Sequence, residues 1–67
     1  MWVFHRGDRR RIFNIDAYQE IVVEGNSILL LSSSGAPRLS YETEKEAQQA
    51  FTYLLESIKR GDKLAHL

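Results

Sequence analysis

Cysteine is absent from this chain of 67 residues, and histidine occurs only twice, as His5 and His66. The first absence excludes disulfides and thiolate zinc sites. The second places the two imidazoles at opposite ends of the sequence, which argues against a histidine metal site. No cofactor is implied. Long apolar runs are also missing. The longest is residues 28–31, against the ~20 residues of a membrane-spanning helix. The opening "MWVFHRGD" meets charge before an apolar leader segment develops. These features predict a soluble cytoplasmic protein that does not associate with membranes. Proline occurs once, and no linker, repeat or low-complexity tract interrupts the chain, so residues 1–67 read as a single small domain. A chain this short buries only roughly 60% of its unfolded surface. With neither disulfide nor metal, self-association is the remaining route to added stability.

An excess of either charge is missing too, since nine Lys and Arg balance nine Asp and Glu. The balance is uneven along the chain. Residues 1–13 hold Arg6, Arg9, Arg10 and Arg11 against Asp8 alone. The amino-terminal region is therefore locally basic, without the overall charge that predicts nucleic-acid binding outright.

What is present is mostly periodicity. In "YETEKEAQQAFTYLLESIKRGD", Ala47, Ala50, Phe51, Leu54, Leu55 and Ile58 recur at helical spacing. Thr43 and Glu46 form a capping box. Glu44 and Glu46 suit the amino-terminal end of the helix dipole, Lys59 and Arg60 the carboxy-terminal end. Gly61 suits a left-handed stop. The spacing predicts a helix over 44–60.

Upstream the period is two. "QEIVVEGNSILLLS" reads as two strands joined by a two-residue turn at Gly25-Asn26. That turn pairs Val23 with Ile28, Val22 with Leu29, Ile21 with Leu30 and Glu20 with Leu31. "SSSGAP" reads as a loop and "RLSYE" as a further strand. "MWVFHR" and "RRRIFNI" flank Gly7-Asp8 as a second hairpin, which pairs Arg6 with Arg9, Phe4 with Arg11, Val3 with Ile12 and Trp2 with Phe13. "DAY" links the two hairpins. The prediction is an α+β domain, an antiparallel meander of four to five strands with one C-terminal amphipathic helix packed on one face.

Under that register Trp2, Phe4, Phe13, Ile21, Val23, Ile28, Leu30, Leu39 and Tyr41 face the helix. Val3, Ile12, Val22, Leu29 and Leu31 lie on the opposite face among Glu20, Glu24, His5 and Arg10. A sheet covered on one side shows water a polar second face, and this one is half apolar. Scattered aliphatics are common on any surface. A contiguous apolar patch more often marks an interface. These five residues are therefore the candidate self-association face, with a second copy as the expected partner and another protein as the alternative.

"HRGDRRR" at residues 5–11 supports several readings. It contains the Arg-Gly-Asp tripeptide that integrins read, but that function needs an exposed loop on a secreted protein. Arg6, Arg9, Arg10 and Arg11 beside Trp2, Phe4 and Phe13 suit a stacking platform for single-stranded nucleic acid. In the register above those aromatics lie beneath the helix, so nucleic acid is the alternative and not the favoured ligand. Catalysis finds little support. Ser32, Ser33 and Ser34 have no placed base, Asp16 sits where a turn wants it, and His5 reads as a half-exposed sheet residue.

Across "FNIDAYQEIVVEGNSILLLSSSGAPRLSYETEKEAQQAFTYLLE" the chain resembles a recurrent class of short bacterial and phage proteins of unassigned function. They share an aromatic first strand, an Asn-Ile/Leu-Asp link, an Ile/Val-rich hairpin, a loop, a strand and an E-x-E-A helix. The likeness covers about residues 14–56 and implies the same fold. In its strand-then-helix order the chain is also similar to short flagellar-operon proteins. The long "SSSGAP" loop and the triple arginine depart from both, so no functional residue is carried over. Coactivator-type single-strand binders share the order of four strands then a helix, but their lysine-rich sheet is missing here. The sequence thus predicts a non-catalytic binding or adaptor module that self-associates, with single-strand binding as the alternative.

Overall fold

The computed structural model describes residues 1–6 and 10–67, with Arg6 described in its backbone alone. Over these residues the chain is an α+β protein of six strands and one helix. β1 (Trp2–Arg6) and β2 (Arg10–Asn14) form the first hairpin, and a 3-10 turn (Ile15–Ala17) follows. β3 (Glu20–Glu24), β4 (Ser27–Leu31) and β5 (Arg38–Ser40) form an antiparallel meander. α1 (Glu44–Arg60) comes next, and β6 (Leu64–His66) closes the chain. The strands divide into two three-stranded sheets, ordered β2-β1-β6 and β3-β4-β5.

The second sheet and the helix follow the sequence pattern closely. β3 pairs with β4 from Glu20↔Leu31 to Glu24↔Ser27, the register that a two-residue turn dictates. Gly25 supplies the positive φ, at 59°, while Asn26 ties the turn to the end of β5 through an Nδ2–H donated to the Tyr41 carbonyl at 2.9 Å. In α1 the Glu46 amide donates to Thr43 Oγ1 at 3.1 Å. At the other end Gly61 is left-handed, with φ 75°. Its amide reaches the Ile58 carbonyl and that of Asp62 reaches the Ser57 carbonyl, so two of the last turn's acceptors are used. Arg60 pairs with Asp62 at 2.8 Å. The hydrogen bond to that carboxylate, and then its charge, push the guanidinium pKa further up.

The first sheet departs from the pattern in three ways. The meander is two sheets and not one. β6, absent from the sequence reading, pairs in parallel with β1, Trp2↔Leu64 through Phe4↔His66. Hydrogen bonds from Trp2 N to the Lys63 carbonyl and from Leu67 N to the Phe4 carbonyl fix that strand at both ends. The first hairpin is also shifted by one residue. Val3 pairs with Phe13, Phe4 with Ile12, His5 with Arg11 and Arg6 with Arg10. Three residues separate the paired ends, where a Gly7-Asp8 turn would have left two. Gly7, Asp8 and Arg9 lie outside the described residues, and with them the proposed turn.

A one-residue slip carries every side chain of one strand to the other face. β1 therefore turns Val3 and His5 inward, and Trp2 and Phe4 outward. Val3, Ile28, Leu30, Leu39, Leu54 and Ala65 are all essentially inaccessible, with Ile15 close behind. One core thus runs through both sheets and the helix. His5 is buried in it, its ring set edge-on to Tyr41 with centroids 5.4 Å apart. Burial raises the Tyr41 pKa above 10.0. Met1, Phe13, Tyr18, Ile21 and Phe51 pack around this centre, partly buried. The helical stripe is wider than the sheet that covers it, leaving Leu55 and Ile58 exposed.

Candidate functional site

The five residues expected to form one self-association face do not share a surface. Val3 belongs to the core, at 0% exposure, because the register slip turned it inward. Ile12 lies on the outer face of the first sheet. Val22, Leu29 and Leu31 remain together on the outer face of the second, each half-buried. Val22 is directly opposite Leu29, and Leu29 is opposite Arg38. The Arg38 Nη1–H reaches across to Ser27 Oγ at 3.3 Å. The arginine thus lies along the row on this face, with Glu20 and Glu24 at its rim.

The arginines of the first hairpin also separate. Arg10 is exposed on the same face as Ile12. Arg11 alternates to the other side of β2, where its Nη2–H donates to the Arg38 carbonyl at 3.0 Å and links the two sheets. Arg9 lies outside the described residues. Phe13, third of the expected stacking aromatics, packs inward with its ring edge-on to Tyr18 at 6.2 Å.

The outer face of the first sheet instead collects three large exposed side chains, and three more, Tyr53, Leu55 and Ile58, lie on α1. Strand order and register set two rows across it, Asn14–Trp2–Leu64 and Ile12–Phe4–His66. Ile12 is 60% exposed, Trp2 50% and Leu64 47%. Phe4 sits half-buried among them. Arg10 caps its ring, with the guanidinium carbon 5.9 Å from the centroid, and His66 lies against it at 5.7 Å. The strands β1, β2 and β6 carry Arg6, Arg10 and Arg11 and not one carboxylate, whereas β3–β5 carry Glu20 and Glu24 against Arg38. Charge that cancels over the whole chain is thus divided between the sheets.

Two of the residues on this face escaped the pattern reading. Leu64 and His66 follow the helix stop, in a segment whose alternation spans only three residues. Trp2 and Phe4 were visible, but as core. A second open apolar surface, a groove of about 240 Å³, runs between α1 and β3, lined by Tyr18, Glu20, Ile21, Phe51, Leu55 and Ile58. Among the described residues no cation lies at its wall. In the 32–35 loop, Ser32 Oγ contacts Ser34 Oγ at 3.2 Å and the Gly35 carbonyl at 3.1 Å, so these hydroxyls serve the turn. Among the described residues no group of three His, Cys, Asp or Glu is placed to hold a metal ion, and no helix is long and apolar enough to cross a membrane.

Comparison with protein-family models, with curated proteins and with solved structures finds no match. The functional reading therefore rests on the residues themselves.

Proposed function

We propose that this protein is a small non-catalytic binding module that meets its partner through the outer face of the first sheet. The observation that carries the reading is the clustering of Trp2, Ile12 and Leu64, all about half exposed or more, around a ring already capped by Arg10. Scattered exposed aliphatics need no explanation, but a contiguous patch does. Tryptophan and arginine are also the residues on which binding surfaces concentrate their energy.

A face kept for binding contributes little to folding, and that is measurable. Ile12→Thr combined with Leu64→Thr keeps β-compatible side chains and removes apolar surface that water already reaches. Stability from urea unfolding is expected to change by no more than about 1 kcal/mol. A loss of several kcal/mol would show that the two side chains are structural and end the proposal.

Self-association through the outer face of the second sheet is the second reading, favoured by the direct pairing of Val22 with Leu29 beside Leu31. Leu29→Asp places a carboxylate at the centre of that row. If the row is an interface, the charge is buried without a partner and the oligomer dissociates. Sedimentation of the parent and the variant tests this. A parent that is monomeric at high micromolar concentration removes self-association.

A further inference from the structure

We infer that the outer face of the first sheet takes single-stranded nucleic acid, with bases on Trp2 and Phe4 and phosphates toward Arg10. The inference rests on that face being the binding surface, and it names the ligand.

Three features of the face select this ligand. The first is charge. Arg10 is exposed on this face, and β1, β2 and β6 hold no carboxylate to pair with it, so the complementary surface is anionic. A second copy of the chain docked face to face fails this criterion, because it would bring Arg10 against a sheet that has nothing acidic to offer it. The second feature is ring chemistry. Trp2 and Phe4 stand on the open side of the central strand, flanked by His66 and by the Arg10 guanidinium lying over Phe4. Flat π-faces and a guanidinium plane are what unpaired bases stack on, whatever their sequence. An acidic protein segment would use the arginine and leave the rings unused.

The third feature is spacing. Residues i and i+2 on a strand lie about 7 Å apart, roughly twice the 3.4 Å rise between stacked bases. Neighbouring bases can each occupy a ring only when they are splayed apart, as a single strand allows and a duplex does not. The patch has room for two or three nucleotides, so the affinity is modest and independent of sequence.

Trp2 is the only tryptophan in the chain, and its emission reports directly on the proposed contact. The experiment titrates the full chain with a 12-nucleotide oligo-dT, the matching duplex, and polyglutamate as an acidic polymer without bases. Saturable quenching by the single strand is expected, weaker by 10-fold or more for the duplex and absent for polyglutamate. The log of the affinity should fall with log salt at a shallow slope of about −0.7, for the one phosphate that Arg10 neutralises. With a labelled oligonucleotide, Phe4→Leu, which keeps apolar bulk but loses the ring, should weaken binding by about 10-fold. The exposed Arg10→Gln should weaken it similarly while leaving the thermal melt unchanged.

Equal quenching by polyglutamate would overturn the inference in favour of an acidic protein partner. Preference for the duplex would overturn the stacking geometry. No quenching by any of the three would overturn nucleic acid as the ligand. Each of these results leaves the binding face itself standing, because that reading is decided separately by the stability of the Ile12 and Leu64 variant.

Discussion

Replacing Ala65 by aspartate is expected to unfold the protein. Ala65 is fully buried in the middle of β6 and belongs to the central core cluster, paired with Val3 across the parallel ladder. The substitution adds a carboxylate where no water reaches. Even after relaxation, burying one unpaired ion costs several kcal/mol, and the added volume costs about 1–3 kcal/mol more in a packed site. A chain of this length has roughly 3–10 kcal/mol in all, at 0.05–0.15 per residue. The sum exceeds the lower half of that range. The neighbouring Leu64 is the internal control. It lies on the same strand but points to the opposite, open face, so Leu64→Asp should remain folded with a urea midpoint close to that of the parent. If Ala65→Asp also melted cooperatively near the parent's midpoint, β6 would not be docked, and the binding face would lose Leu64 and His66.

That contrast also shows what the amino-acid pattern could and could not reveal. The β3–β4 register was legible because a Gly-Asn pair leaves one tight turn, and every pairing then follows by counting. The helix was legible for a similar reason: Thr43 and Gly61 mark its two ends by local chemistry, Thr43 accepting from the Glu46 amide and Gly61 donating to the Ile58 carbonyl. The first hairpin lacks such a marker. Gly7-Asp8 suggests a two-residue turn, while β1 stops at Arg6 and β2 begins at Arg10. Alternation says that Trp2 and Phe4 share a face and that Val3 and His5 share the other. It does not say which face meets the core. Size and hydropathy favour the aromatics. The structure chooses Val3, which packs beside Ala65 of a strand 62 residues away, and a partner at that distance leaves no trace in local periodicity. The difference matters for function, because Trp2 and Phe4 are the aromatics that make the open face distinctive.

The parity of a single strand thus decides which surface is available for binding. With Trp2 and Phe4 beneath the helix, the arginines of the hairpin would have had no stacking partners and an apolar sheet face would have been the natural interface. With those rings turned outward, Trp2 and Phe4 share a face with Arg10, and the apolar set is split among the core, the first sheet and the second.

The helix provides the second large expected effect. Leu54→Ala should destabilise the protein by about 2–5 kcal/mol, the range for removing a buried leucine and leaving part of its cavity. Leu54 is 1% exposed and sits in the core cluster beside Ile28, Leu30 and Leu39. Phe51 is larger, and by size alone it would anchor the helix. It is only half-buried, however, at the wall of the open groove, where truncation leaves a space that water can enter. Leu55, the next residue in the chain, is 42% exposed and loses little that folding had hidden. Urea unfolding of the three alanine variants should therefore order them with Leu54 most costly, Phe51 intermediate and Leu55 within about 1.5 kcal/mol of the parent. Because one residue is about 100° around a helix, a reversed order of Leu54 and Leu55 would mean that α1 presents a different face to the sheets. The groove lined by Leu55 and Ile58 would then be the core contact instead of an open surface.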